Sequence, residues 1–130
     1  AIADYQSLVT AQPEASAANW FNLAFTLESA SRLPEAEAAF RRALQIDEKL
    51  DRAWYGLGLT LIQQGRYDDA VAALKRNTEL QPMSPYGWYQ LARVHIDRQQ
   101  PDEARKIIRH LKGFEPKVAA QLERETGLAA

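Results

Sequence analysis

Residues 54–61 read Trp-Tyr-Gly-Leu-Gly-Leu-Thr-Leu, and this stretch has a counterpart 34 residues to either side. Trp20, Trp54 and Trp88 keep that step, and their surroundings keep it with them. Trp20, Leu23, Ala24 and Leu27 become Trp54, Leu57, Gly58 and Leu61, then Trp88, Leu91, Ala92 and His95. Farther along, Ala36 and Phe40 become Ala70 and Leu74, then Ala104 and Ile108. Pro82 and Pro116 share one register, which Glu48 fills in the first copy. A fixed period of this length marks a chain built from stacked supersecondary units.

The first stretch of each copy carries apolar residues at i, i+3, i+4 and i+7, one stripe of a helix. Small residues at Ala24, Gly58 and Ala92 let a second helix come close. Ser31-Arg32-Leu33-Pro34, Gln64-Gly65-Arg66-Tyr67 and Gln99-Gln100-Pro101-Asp102 interrupt the pattern. Proline is tolerated in a helix's first turn, so Pro34 and Pro101 mark where the second helices start. Glu35, Asp68, Asp69, Asp102 and Glu103 place negative charge in that turn, matching the helix dipole. The second helices are expected at about 34–47, 68–80 and 102–113. Gln81-Pro82-Met83-Ser84-Pro85 and Gly113-Phe114-Glu115-Pro116 read as links.

This pattern resembles that of the tetratricopeptide repeat (TPR) family, W-x2-L-G-x2-Y, then A-x3-F, then P. Three units, 17–50, 51–84 and 85–118, carry it. Ala24 and Ala92 replace the glycine, and His95 the last aromatic. The resemblance implies an all-α fold, a right-handed α-solenoid of helix-turn-helix units forming a single domain over 1–130. Residues 1–16 are expected to be a partial N-terminal repeat, with a helix over 2–11 and with Tyr5, Leu8 and Pro13 spaced like Phe40, Ala43 and the link proline. Residues 117–130 are expected to cap the stack, with a helix from Lys117 to about Thr126 and Gly127 behind it. Gln121, Glu123, Arg124 and Glu125 would give that cap its polar face.

Composition narrows the chemistry. Sixteen basic and 17 acidic side chains among 130 residues leave a net charge of −1, without the basic surplus that phosphate binding uses. No nucleic-acid partner is expected. Apolar residues at 46% and charged ones at 25% are globular values. No apolar run approaches the ~18–20 residues of a membrane span, so the expected chain is soluble. Cysteine is absent, which removes disulfides, thiol catalysis and cysteine–zinc sites. The compartment stays open between bacterial cytoplasm and periplasm, the bacterial reading resting on many Ala and Arg and few Lys and Ile. The chain opens Ala1-Ile2-Ala3 without methionine, in what reads as a helix, and is expected to be a piece of a longer protein.

A search for catalytic spacing returns little. His95 sits in an aromatic slot of the repeat and reads as a packing histidine; His110 lies late in a helix, where it favours the dipole's negative end. Gly56 to Gly58 is a G-x-G inside a helix, not a phosphate loop after a strand. Asp68-Asp69 and the Glu35/Glu37 pair read as solvated first-turn charges. Neither an enzyme nor a cofactor or metal site is expected.

The informative feature is a second apolar stripe. Phe21 and Phe25, then Tyr55, Leu59 and Ile62, then Tyr89 and Ile96 with Tyr86 nearby, recur at helical spacing beside the core stripe. In TPR proteins this face of the first helices lines a concave groove. The resemblance therefore implies a groove with aromatic walls, edged by Asn22, Glu28, Arg52, Gln63, Gln90, Arg93 and Asp97. The expected partner-binding set is Phe21, Asn22, Phe25, Arg52, Tyr55, Leu59, Ile62, Tyr86, Tyr89, Arg93 and Ile96. The tyrosines carry a polar end suited to a half-wet surface.

Chaperone-binding TPR members hold terminal carboxylates with lysines, asparagines and an arginine. The matching positions here are Phe21, Phe25, Gly56, Tyr86 and Gln90, so that clamp is absent. The expectation is an interaction module that takes a peptide or helix of a partner protein by apolar burial. The alternatives are self-association with a second copy, and a regulatory fragment of a larger protein.

Overall fold

The computed structural model describes residues 16–128. Its helices are α1 (Ala17–Ser29), α2 (Leu33–Ile46), α3 (Asp51–Gln63), α4 (Tyr67–Leu80), α5 (Pro85–Asp97), α6 (Pro101–Lys112) and α7 (Pro116–Thr126). Among the described residues there is no strand. The fold is all-α and runs in helix-turn-helix pairs, as the periodicity predicts. The expected second helices are α2, α4 and α6, each within a residue of its predicted start. The helix expected over 2–11 lies outside the described residues.

Local chemistry explains where the helices begin. Ser16 caps α1, its Oγ accepting from the Asn19 amide at 3.3 Å. Proline stands in the first turn of α2, α5, α6 and α7, where no helical N–H is lost. Pro116 thus opens α7 rather than closing the link that it was expected to belong to.

The turn inside each pair is one motif in three copies. Ser31, Gly65 and Gln99, one repeat apart, all have positive φ, at 61°, 73° and 59°. The amides of Ser31 and Arg32 donate to Glu28 and Leu27, those of Gly65 and Arg66 to Ile62 and Leu61, and those of Gln99 and Gln100 to Ile96 and His95, at 2.8–2.9 Å. These are the paired bonds that close a helix over a left-handed residue. Arg32 and Arg66 then reach forward to Glu35 and Asp69 in the next helix's first turn.

The chain forms two compact units, the first ending at Ala73 and the second starting at Leu74, within α4. In the first, α1 packs on α2 and α3, and α2 on α3. Its core is Leu23, Ala24, Leu27, Ala36, Ala39, Phe40, Ala43, Leu44, Ala53, Leu57, Leu61, Ala70 and Ala73, with Phe21 and Ile62 packed against it. In the second, α5 packs on α6, and α7 lies against both. Leu91, Ala92, Val94, Ile107, Ile108, Leu111, Ala119 and Leu122 are buried there. Ala24, Gly58 and Ala92, the expected close-approach positions, are all buried.

The tryptophans tie the links down. Trp54 Nε1 donates to the Glu48 carbonyl at 2.8 Å and Trp88 Nε1 to the Pro82 carbonyl at 3.0 Å, each six residues back. Trp20 Nε1 is buried and has no partner among the described residues; six residues back from it is Glu14, outside them.

Glu37 corrects a sequence expectation. Its side chain is 14% exposed rather than solvated. It accepts from Arg41 Nε at 3.0 Å, Gln64 Nε2 at 3.2 Å and Arg66 Nη1 at 2.5 Å. Burial pushes its pKa up, but hydrogen bonds from Arg41 and Gln64 and the charges of Arg66 and Arg41 outweigh that and hold it below the ordinary value. The cluster fastens α2 to the turn after α3.

Candidate partner-binding site

In the first unit, the spacing of α1 puts Phe21 and Phe25 on one face, and α3 puts Arg52, Tyr55, Gly56 and Leu59 opposite them. With Phe40 and Glu28 these residues enclose a cavity of about 200 Å³. Phe21 stacks on Phe25 at 6.4 Å between centroids and tilts against Phe40 at 5.9 Å. Phe40 is 1% exposed, so the cavity's floor is core, whereas Phe25 is 60% exposed at its lip. A Cβ on Gly56 would lie 2.5 Å from the Phe40 ring; the missing side chain is what lets that ring approach. At one edge the Arg52 guanidinium lies 5.1 Å from the Phe21 ring centroid. At another, Glu28 Oε1 accepts from Gln63 Nε2 at 2.9 Å.

Five of the eleven expected residues, Phe21, Phe25, Arg52, Tyr55 and Leu59, thus meet around one cavity. Asn22 is exposed outside its lining, and Ile62 turns partly into the core. Phe21 is likewise shared between face and core, so the core stripe is not complete without it. Phe40 and Gly56 were not expected in the lining. The sequence named Gly56 as part of a G-x-G and as a position of the absent clamp, not for the room it leaves the Phe40 ring.

In the second unit Tyr86 is 68% exposed and Ile96 half-buried. Tyr89 and Arg93 are already engaged. The Tyr89 hydroxyl and Arg93 Nη1 both donate to Glu125 Oε1 of α7, at 2.5 Å each, and Gln121 Nε2 donates to the other carboxylate oxygen at 2.8 Å. The hydrogen bond to Glu125 raises the Tyr89 pKa, and the same bond, with Gln121 and Arg93, lowers that of Glu125. Glu125, expected on a polar solvent face, is the group that covers this one.

Both histidines have structural partners. His95 is 6% exposed, and its Nδ1 donates to Gln100 Oε1 at 3.0 Å, as a packing histidine should. His110 packs between Trp88, at 4.6 Å, and Phe114, at 5.3 Å. A cleft of about 440 Å³ beside Trp88 includes Lys75, Thr78, Glu79 and Leu91. One of about 310 Å³ beside Trp54 includes their register mates Arg41, Leu44, Gln45 and Leu57. That recurrence makes both clefts by-products of repeat packing around the indole. Among the described residues no group of His, Asp and Glu is arranged to hold a metal ion, and no helix is long and apolar enough to cross a membrane.

Comparison with known proteins agrees with the repeat. A family model described as tetratricopeptide repeat matches residues 27–89 and again 61–123, and a second of the same description matches 1–51. No curated protein matches the chain. Among solved structures, one of MamA superposes with a TM-score of 0.83 at 19% identity, over 99% of this chain and 67% of that one. YrrB, described as a TPR protein with an unusual peptide-binding site, has a TM-score of 0.75 at 22% identity, over 89% and 59%. The Yersinia enterocolitica type III secretion translocator chaperone SycD has 0.72 at 19%, over 83% and 88%. At these identities the likeness is one of fold. The three-copy motif, the helix pairs and the family match agree: this chain belongs to the tetratricopeptide repeat family.

Proposed function

We propose that the chain is a non-enzymatic interaction module that holds a peptide or helix of a partner protein on the aromatic face of its first unit. The observation that carries this reading is the cavity between α1 and α3, with apolar walls and Phe25 uncovered at its lip. A chain gains little by leaving such a group in water, and aromatic residues dominate interface hot spots. Family membership supports the general role, and the peptide-binding site ascribed to YrrB and the chaperone role ascribed to SycD are in keeping with it. In the second unit Tyr86 is a separate proposed contact, whereas Tyr89 and Arg93 contribute only if Glu125 releases them.

Affinity capture from a cell extract tests the reading, using the wild type and a Phe25→Ala/Leu59→Ala double variant. Proteins retained by the wild type should be lost from the variant while its helicity by circular dichroism is unchanged. Capture of the same proteins by both excludes this face.

A further inference from the structure

We propose that the first-unit cavity takes one large apolar side chain of a protein segment, and that a carboxylate beside that side chain pairs with Arg52. This rests on the interaction reading above and names the partner's chemistry.

Size argues for a single side chain. Small-molecule sites usually enclose about 300–1,000 Å³, and this cavity encloses about 200 Å³. It lies below that range, and its floor is the buried Phe40 ring. The walls of Phe21, Phe25 and Leu59 offer dispersion and area burial to an apolar group. What fits is an anchor carried by a chain that makes its other contacts outside.

The edge argues for the sign of the neighbouring charge. Arg52 is exposed and forms no ion pair among the described residues; its contact is the face of Phe21. A guanidinium on an aromatic face keeps its N–H groups turned outward, available to a carboxylate. Arg52 also stands in the first turn of α3, where the helix's positive end adds to its charge instead of offsetting it. The register mates of Arg52 are Ala18 and Tyr86, so the feature belongs to this unit and not to the repeat. Glu28, the acidic group of the same lining, accepts from Gln63 and forms no ion pair with Arg52.

Four capped ten-residue peptides, alike except for a central Phe-Glu, Phe-Gln, Phe-Lys or Ala-Glu, test this by amide NMR titration of the full chain. The Phe-Glu peptide should shift the amides of Phe25, Gly56 and Leu59, and the Ala-Glu peptide should not. Phe-Gln should bind roughly threefold more weakly, as for an exposed ion pair, and Phe-Lys more weakly still. Arg52→Glu should reverse the order so that Phe-Lys binds best; glutamate suits a first turn, so this variant should fold. Equal binding of Phe-Glu and Phe-Lys, an unreversed order in Arg52→Glu, or no saturable shift at ~3 mM of any peptide overturns the proposal. In the capture experiment, a partner lost with Phe25→Ala/Leu59→Ala but undiminished with Arg52→Glu sinks the acidic assignment alone. A partner indifferent to the double variant sinks the reading beneath it.

Discussion

Ser31 and Gln99 share one left-handed backbone conformation, φ 61° and 59°, at the register where the middle unit has Gly65 at 73°. The repeat imposes the conformation on all three turns, and only the middle one has the residue that adopts it freely. A Cβ costs roughly 1–2 kcal/mol in this region, partly offset by the larger entropy that glycine loses on folding. Ser31→Gly and Gln99→Gly should each stabilise by about 0.5–1 kcal/mol, seen as a rise of a few degrees in Tm. Gly65→Ala should do the opposite, although nothing lies within 4 Å of its Cβ position. A Tm that ignores all three changes would refute the argument.

Crowding, not dihedral cost, governs Gly56. Its Cβ would meet two Phe40 ring carbons at 2.5 Å, and Phe40 cannot retreat from a filled core. Gly87 is similar, its Cβ position falling on the side chains of Asn77 and Thr78. Alanine gains up to about 1 kcal/mol of helix propensity, while overpacking costs about 1–3 kcal/mol. Gly56→Ala and Gly87→Ala should both lower the urea midpoint. A higher midpoint in either would mean that the neighbour yields.

Glu37 should leave a signature in acid. Its folded pKa is below the ordinary 4.5, so the unfolded chain binds its proton more readily. The stability it contributes is full above the ordinary value and is lost as pH falls through the lower, folded one. Glu37→Gln should therefore be less stable than wild type at pH 7 and approach it at pH 3. Urea titrations at the two pH values check this, and a gap that is the same at both would remove the charge from the explanation.

The Glu125 contact should hold α7 in place. Glu125→Gln weakens the acceptor shared by Tyr89 and Arg93, leaving Lys112–Glu123 at 3.5 Å and the buried Ala119 and Leu122. Hydrogen exchange in α7 should quicken several-fold while that of α5 changes little. Removing 116–130 altogether should uncover Ile107, Ile108 and Leu111 and produce aggregation or a new dimer by sedimentation. An unaltered monomer after truncation would show that these residues are covered by something else.

The sequence by itself determined the period, the helix pairs and the family. Those rest on local chemistry: apolar residues at helical spacing, prolines in first turns, and a repeated tryptophan whose mates move with it. It also put Phe21 and Phe25 on one face of α1, and Arg52, Tyr55 and Leu59 on one face of α3, because a helix's angular order follows from residue number. Only the tertiary structure decided what each polar group on such a face meets. Glu125 looked solvated along its own helix, yet it sits on Tyr89 and Arg93. Glu37 looked like a first-turn charge, yet it gathers Arg41, Gln64 and Arg66. Gly56 looked like a weak motif, yet it makes room for the Phe40 ring in the cavity floor. Each depends on side chains of different helices coming within a few ångströms. A period fixes which way a side chain points along its own helix, while the packing of the next helix sets what it touches.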